Sequence, residues 1–425
     1  MSTHPQASRF FLASCIALIV TAMSFAIRGE ILGVWTQQFG LTNAEAGAVT
    51  GAAFWGFLLS MVIGGPLCDV LGMGRLLVLA FVGHLAGAAL TIFAGGFWSL
   101  FIATLFVGVG NGFVEAACNP LIATIYPENK VAKLNLFHVW FPGGIVIGGL
   151  LAYAMDLQGM SWQLKIASMV IPTLIYGAMF IGMKFPATER VASGVSTSDM
   201  FKAALTPLFI FMAVCMLLTA ATELGTNQWV ATLLSNIGVQ GILILVLING
   251  IMAIGRMFGG PVEKRLSPAG MLLFSAIFSA IGLFWLSSSS GNAALAAAAV
   301  FAIGITFFWP TMLGFVAVYV PRSGALGLAI LGGIGAGATA IAQPFLGWVY
   351  DTQLEKNLPT GATVQALQAA AEGTAEHAQW LEVQVASGSG ALQTMAVLPV
   401  ILIVAFGGLY AWQKGKSPER LSGRA

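Results

Sequence analysis

A chain of 425 residues that is 58% hydrophobic and only 8% charged is not a soluble domain, where about 25% of residues carry charge. Mean hydropathy is +0.89, and the net charge of +2 gives no reason to expect a nucleic-acid partner. The four cysteines lack CxxC or Cys/His ligand spacing, so neither a disulfide framework nor a metal centre is expected.

Apolar runs of the ~20 residues needed to cross a bilayer recur along the chain. Strand-like alternation is absent, so helices are expected to satisfy the backbone in lipid. Twelve spans are predicted: 10–35, 43–67, 74–96, 98–126, 134–155, 162–183, 206–233, 237–262, 269–288, 292–319, 323–350 and 391–413. The first reads as a retained span, because its end carries Arg28 and Glu30 and no small-residue cleavage site follows.

Polar residues inside these spans are the functional candidates. Three of the 16 acidic residues, Glu30, Glu115 and Glu223, fall in apolar stretches. A carboxylate facing lipid at mid-membrane costs roughly 3 kcal/mol, so an interior polar path is expected, with these three as proton-coupling candidates. In span one, Arg28 is a candidate to neutralise Glu30 or Glu115 across that path, or to bind substrate. After span two, Asp69 and Arg75 flank a Gly-rich turn and are read as a conformational switch. His84 in span three has apolar neighbours and is expected to pack.

Span four places Asn111, Glu115 and Asn119 four residues apart, on one helical face that drifts by about 40° per step. Such a stripe can bind hydroxyls or carry a proton. In span five, His138 follows Asn135 by three residues and is a candidate substrate contact. Span seven repeats the pattern with Thr219, Thr222, Glu223, Thr226 and Asn227, and Trp229 is expected to anchor its outer end. In span eight, Arg256 is expected to brace helices near the cytoplasmic end as part of the switch. Phe307, Phe308 and Trp309 precede Pro310 in span ten, so one or two aromatics, Trp309 among them, are expected inside. Gln343 precedes Pro344 in span eleven and offers an amide. Residues 351–390 are expected to form a long outer loop.

The chain divides into an N-terminal six-helix bundle at 1–184, a linker at 185–205 and a C-terminal six-helix bundle at 206–425. The halves echo each other. Gly64–Pro66 matches Gly259–Pro261, Asn119–Pro120 matches Trp309–Pro310, and Gly143–Gly144 matches Gly332–Gly333, at a nearly constant offset. The predicted fold class is therefore all-α, twelve transmembrane helices in two pseudo-symmetric bundles.

Orientation follows from the positive charges. With both termini cytoplasmic, fourteen of the 18 basic residues lie on the cytoplasmic side: Arg9, Arg75, Lys130, Lys133, Lys184, Arg190, Lys202, Lys264, Arg265, Arg322, Lys414, Lys416, Arg420 and Arg424. Lys165 and Lys356 are left outside, and Arg28 and Arg256 lie within spans.

Several segments resemble known sequences. Gly65–Asp69–Gly72–Arg75 resembles the loop signature of the major facilitator superfamily. More narrowly, EAACNP at Glu115–Pro120, KLNLFHVWFPGG at Lys133–Gly144, GRMFGGPVEKRLSP at Gly255–Pro268 and LTNAEAG at Leu41–Gly47 resemble segments of the fucose permease family. That resemblance implies sugar symport, mostly proton-coupled and in some members sodium-coupled. It also implies two important membrane carboxylates, one matching Glu115 and one falling nearest to Glu30, where the family has an Asp.

The resulting expectation is a proton-coupled monosaccharide importer, not an enzyme, that works by alternating access. It is expected as a monomer in a bacterial inner membrane, with no cofactor beyond the coupling ion. Sodium coupling, or another small solute such as an organic anion or nucleoside, are the alternatives. No nucleotide-binding GxxxxGK[ST] is present, so ATP is not the expected energy source.

Overall fold

A computed structural model describes residues 6–126, 133, 136–187, 202–233 and 241–414. The side chains of Asp69 and Lys264, linker residues 188–201, and Lys130, Asn135, Arg190, Lys416, Arg420 and Arg424 lie outside the described residues. The described residues are helical, without a strand.

Spans one to four are Ala7–Phe39, Asn43–Leu71, Met73–Ile92 and Phe97–Ile125. Span five is Trp140–Leu157, and span six runs as Trp162–Ser168 and Val170–Phe180. Span seven is Pro207–Ala220, a π-helical turn at Ala221–Gly225, and Thr226–Leu233. Span eight is Gly241–Met257, shorter than the other spans. Span nine is the later part of the helix Gly259–Leu286. Span ten is Gly291–Ile305 with Phe308–Tyr319, span eleven is Gly324–Asn357, and span twelve is Ala375–Gln413.

The predicted outer loop is shorter than expected. Span eleven continues to Asn357 and span twelve begins at Ala375, with a single turn at Val364–Gln368 between them. Thr374 caps span twelve, its side chain accepting from the N–H of His377. The polar composition of 375–390 concealed this extension, because a helix that continues beyond the hydrocarbon needs no apolar face.

Local chemistry sets most boundaries. Span one ends at Gly40, whose φ of +64° fits glycine, and span two starts with a capping box between Thr42 and Glu45. The LTNAEAG segment is therefore a helix start signal. Gly72, at φ +84°, alone separates spans two and three. Before span nine, Ser267 takes a φ of +61° and precedes Pro268, which disfavours helix in the residue before it.

The buried side chains fall into two large clusters. One joins Phe10, Ile27, Trp35, Leu76, Val114, Phe137 and Tyr176 of the first half, and the other is dominated by Met216, Trp229, Phe301, Phe315 and Phe406 of the second. Between the bundles run two principal seams, span two against span eleven and span five against span eight. Adding six to each span number exchanges the two seams, as a pseudo-two-fold requires. Glycines let the first seam close. A Cβ on Gly47 would sit 2.5 Å from the Gln343 carbonyl oxygen, and one on Gly51 would sit 2.6 Å from that of Ala340. We call the end of the molecule that carries Gly72 the turn face, and the end that carries residues 358–374 the loop face.

Candidate functional site

A narrow cavity of about 40 Å³ lies between the bundles, lined by Phe25, Phe54, Phe57, Glu115, His138 and Phe141 from the first half. Glu223, Leu224, Arg256, Trp309 and Ala336 complete it from the second. A water needs at least about 10–15 Å³, so this space has room for a few waters and not for a sugar-sized solute. A larger crevice of about 590 Å³ near Ser287–Ser290 and Glu382 is built from the second half only, so the bridging chemistry is absent there.

On the first-half side, Glu115 and Asn119 are one turn apart, and the Asn119 amide donates to Glu115 Oε2 at 2.7 Å. His138 Nε2 lies 3.1 Å from Asn119 Oδ1 and 4.0 Å from that same Glu115 oxygen. The amide oxygen only accepts, so Nε2 carries the hydrogen.

On the second-half side, the π-helical turn of span seven presents Glu223. Such turns widen a helix locally and recur at functional sites. Arg256 donates from one terminal nitrogen to Glu223 Oε1 at 2.8 Å and from Nε to the Thr306 carbonyl at 3.0 Å. Span ten explains the second bond. Pro310 has no N–H for the carbonyl four residues earlier, which is that of Thr306. The helix breaks at Thr306–Phe307, and the guanidinium takes the orphaned acceptor.

Glu115, Glu223, His138 and Trp309 thus line one cavity, and Asn119 joins them through Glu115. Arg256, expected as a bracing residue, does join span eight to Glu223 of span seven and to the Thr306 carbonyl of span ten, and it does so beside the cavity. It lines the cavity and holds a carboxylate. The sequence did place Pro310 four residues after Thr306, but nothing linear marked Arg256 as the cation that answers it.

Other candidates lie elsewhere. Asn111 does not line the cavity. Its oxygen meets His84 Nε2 at 2.9 Å and its amide donates to Ser24 at 3.0 Å, while His84 Nδ1 meets the Tyr176 hydroxyl at 3.0 Å. Two drifts of about 40° from Asn119 turn Asn111 into its own bundle. His84, expected merely to pack, is the centre of this network.

Glu30 leaves the polar path as well. Both its oxygens accept from Lys165, at 2.9 and 3.0 Å, and Lys165 also bonds Asp156 at 2.5 Å. Sequence reasoning missed Lys165 and Asp156. Only Lys165 and Lys356 were left on the expected outer side, and a half-buried glutamate near that side needs one of them. Arg28 neutralises neither Glu30 nor Glu115. It is buried with its Cζ 4.9 Å from the centroid of the Phe25 ring.

Gln343 is buried in the seam with span two, and Asn227 is buried with a 4.0 Å contact to Met252 Sδ, so neither lines the cavity. Arg75 is exposed at the turn face. The Asp69 side chain, the other half of the expected switch, lies outside the described residues.

Comparison with known proteins places the chain. The chain is 26% identical over 201 residues to "Probable anion transporter 6, chloroplastic" of Arabidopsis thaliana, covering 46% of this chain and 38% of that protein. It is 27% identical over 158 residues to a D-xylose transporter of Levilactobacillus brevis, covering 36% and 34%. The matched segments thus span little more than a third of each of these relatives, which are named as transporters rather than enzymes. In three dimensions, the fold matches a bacterial homolog of the human lysosomal transporter Spinster in an inward-facing, unoccupied conformation. The TM-score is 0.77 at 16% identity, covering 96% of this chain and 98% of that one. A family model described as Major Facilitator Superfamily matches residues 10–343. This multi-pass membrane protein belongs to the major facilitator superfamily.

Proposed function

We propose that the protein is a proton-coupled importer of a monosaccharide-type solute that works by alternating access between its two bundles. One observation carries this reading: a carboxylate from each bundle, Glu115 and Glu223, faces one cavity walled by Phe25, Phe54, Phe57, Phe141 and Trp309. Aromatic faces stack on the apolar faces of a sugar ring, and the carboxylates and Asn119 bind its hydroxyls. The motifs that resemble the fucose permease family fit the same reading. Glu115 takes the coupling proton. It is held by neutral groups, whereas Glu223 is held by the fixed charge of Arg256.

In this reading the protein sits as a monomer in a bacterial inner membrane, with both termini cytoplasmic. A proton moving inward gains roughly 2.3 kcal/mol per 100 mV, which supports about 50-fold accumulation. The test is uptake of labelled sugar into vesicles with and without a pH gradient. Glu115→Gln is expected to abolish accumulation and to retain exchange. Accumulation by that variant against a gradient removes Glu115 from the coupling role, and accumulation driven by a sodium jump alone replaces the proton with sodium. A second reading, carriage of an organic anion, draws support from Arg256 as a cavity cation and from the Arabidopsis relative's name. Competition of sugar uptake by simple carboxylates separates the two.

A further inference from the structure

Three of the buried charges within the spans are answered among the described residues. Glu115 has Asn119, Glu223 has Arg256, and Lys165 has Glu30 and Asp156. Arg28 is the exception. It is 3% exposed, and its Nε and one terminal nitrogen have no hydrogen-bond partner among the described residues. It lies against the face of Phe25, a cation–π arrangement that compensates a buried guanidinium in part. Buried polar groups are nearly always paired, so an orphan of this kind calls for an explanation.

Its position supplies one. Phe25 lines the cavity and stacks on Phe54 at 4.8 Å, so Arg28 lies one ring behind the cavity wall. Ala340 of span eleven packs with Phe25 and Phe54 in one small cluster. One turn toward the loop face from Phe25 is Arg28, and one turn toward the loop face from Ala340 is Gln343. Both amide atoms of Gln343 are also buried and without a partner among the described residues. Two unanswered polar side chains, one from each bundle, thus stand beyond the same aromatic wall.

We propose that Arg28 is the carboxylate-binding residue of the transport site, exposed when the Phe25 ring turns aside, and that the solute is a sugar acid. The proposal rests on the sugar reading above and narrows its substrate class. Hydroxyls go to the central cavity and the carboxylate goes to the guanidinium, whose planar fork matches a carboxylate bidentately. Arg256 is the weaker candidate for this clamp, because its charge is already balanced by Glu223 at 2.8 Å, whereas Arg28 faces no carboxylate among the described residues. A single guanidinium balances one carboxylate and leaves a phosphate dianion half compensated.

The test uses the purified full-length protein. Thermal shift and counterflow in liposomes are measured with D-gluconate, D-galactonate, D-glucuronate and D-galacturonate against D-glucose and D-galactose. At least one acid is expected to bind about 100-fold more tightly than its neutral sugar, modest for a site built around a polar group. Arg28→Gln is expected to erase that preference, and Arg28→Lys to restore part of it. Without ligand, Arg28→Gln is expected to melt at the same temperature or higher, because it removes an unpaired buried charge. Lower melting without ligand assigns Arg28 a structural role and overturns the proposal. Neutral sugars binding as well as acids, or Arg28→Gln leaving acid binding unchanged, overturns it while the sugar reading stands. Counterflow by neither class removes both.

Discussion

Asp351 of span eleven caps the start of span two in the other bundle. It accepts from the Asn43 side chain at 2.7 Å and from the Ala44 N–H at 3.1 Å. A carboxylate at a helix N-terminus satisfies orphan donors and complements the helix dipole, for about 1 kcal/mol. Here those donors belong to the opposite half, so the cap holds the loop face shut. Asp351→Ala is expected to shift the population toward a loop-face-open state by about fivefold. A reporter cysteine at Ala340, in a background without the four native cysteines, is expected to alkylate faster by that factor. An unchanged rate removes the cap from the gate.

The glycines of the same seam make a steric prediction. A Cβ at Gly51 would sit 2.6 Å from the Ala340 carbonyl oxygen, a backbone atom that moves only with its helix. Gly51→Val is expected to prevent loop-face closure, so reporter alkylation stays high and uptake in vesicles is lost. Wild-type uptake by Gly51→Val shows that this seam does not need to close fully.

The cavity ion pair predicts non-additivity. Arg256→Gln strands Glu223 and the Thr306 carbonyl, and Glu223→Gln strands the guanidinium. Breaking a buried pair from one side costs about 3–5 kcal/mol. The double variant is expected to unfold at a lower denaturant cost than the sum of the two singles. Additive losses in a double-mutant cycle indicate that the pair is not coupled.

The fold was largely legible in the sequence, and the site only partly. Apolar length alone located the spans, and the capping box of Thr42 and Glu45 and the glycine at Gly72 marked turns that short-range rules describe. Glu115 and Asn119 were legible because four-residue spacing decides their mutual contact. Arg256 with Glu223, and Lys165 with Glu30, were not, because each pair joins different spans and only packing brings them together. Asn111 failed for a simpler reason: eight residues of drift separate it from the face of Asn119.

The Lys165 cluster gives a prediction that separates structure from coupling. Lys165→Met leaves Glu30 without its cation, at a cost of about 3 kcal/mol, the low end because the Asp156 side chain is 49% exposed and partly solvated. Glu30→Gln is expected to melt lower than wild type and still to accumulate solute under a pH gradient. Loss of accumulation with an unchanged melting temperature returns Glu30 to the coupling role.

The His84 network predicts a smaller effect. Tyr176→Phe leaves a buried ring nitrogen of His84 without its partner and is expected to cost about 1–3 kcal/mol of stability. Transport per folded molecule is expected to be unchanged, because the network lies outside the cavity. Altered substrate affinity in Tyr176→Phe contradicts that separation.

Pro310 carries no charge and does not line the cavity, yet it helps fix where the cavity's positive charge stands. Its missing hydrogen leaves the Thr306 oxygen for Arg256. The bend of span ten and the clamp on Glu223 are therefore one linkage. Any movement that draws Thr306 away takes with it one of the two bonds that position the guanidinium. A mechanical event in an apolar helix thereby becomes an electrostatic event beside the solute, with no acidic, basic or histidine side chain in span ten at all.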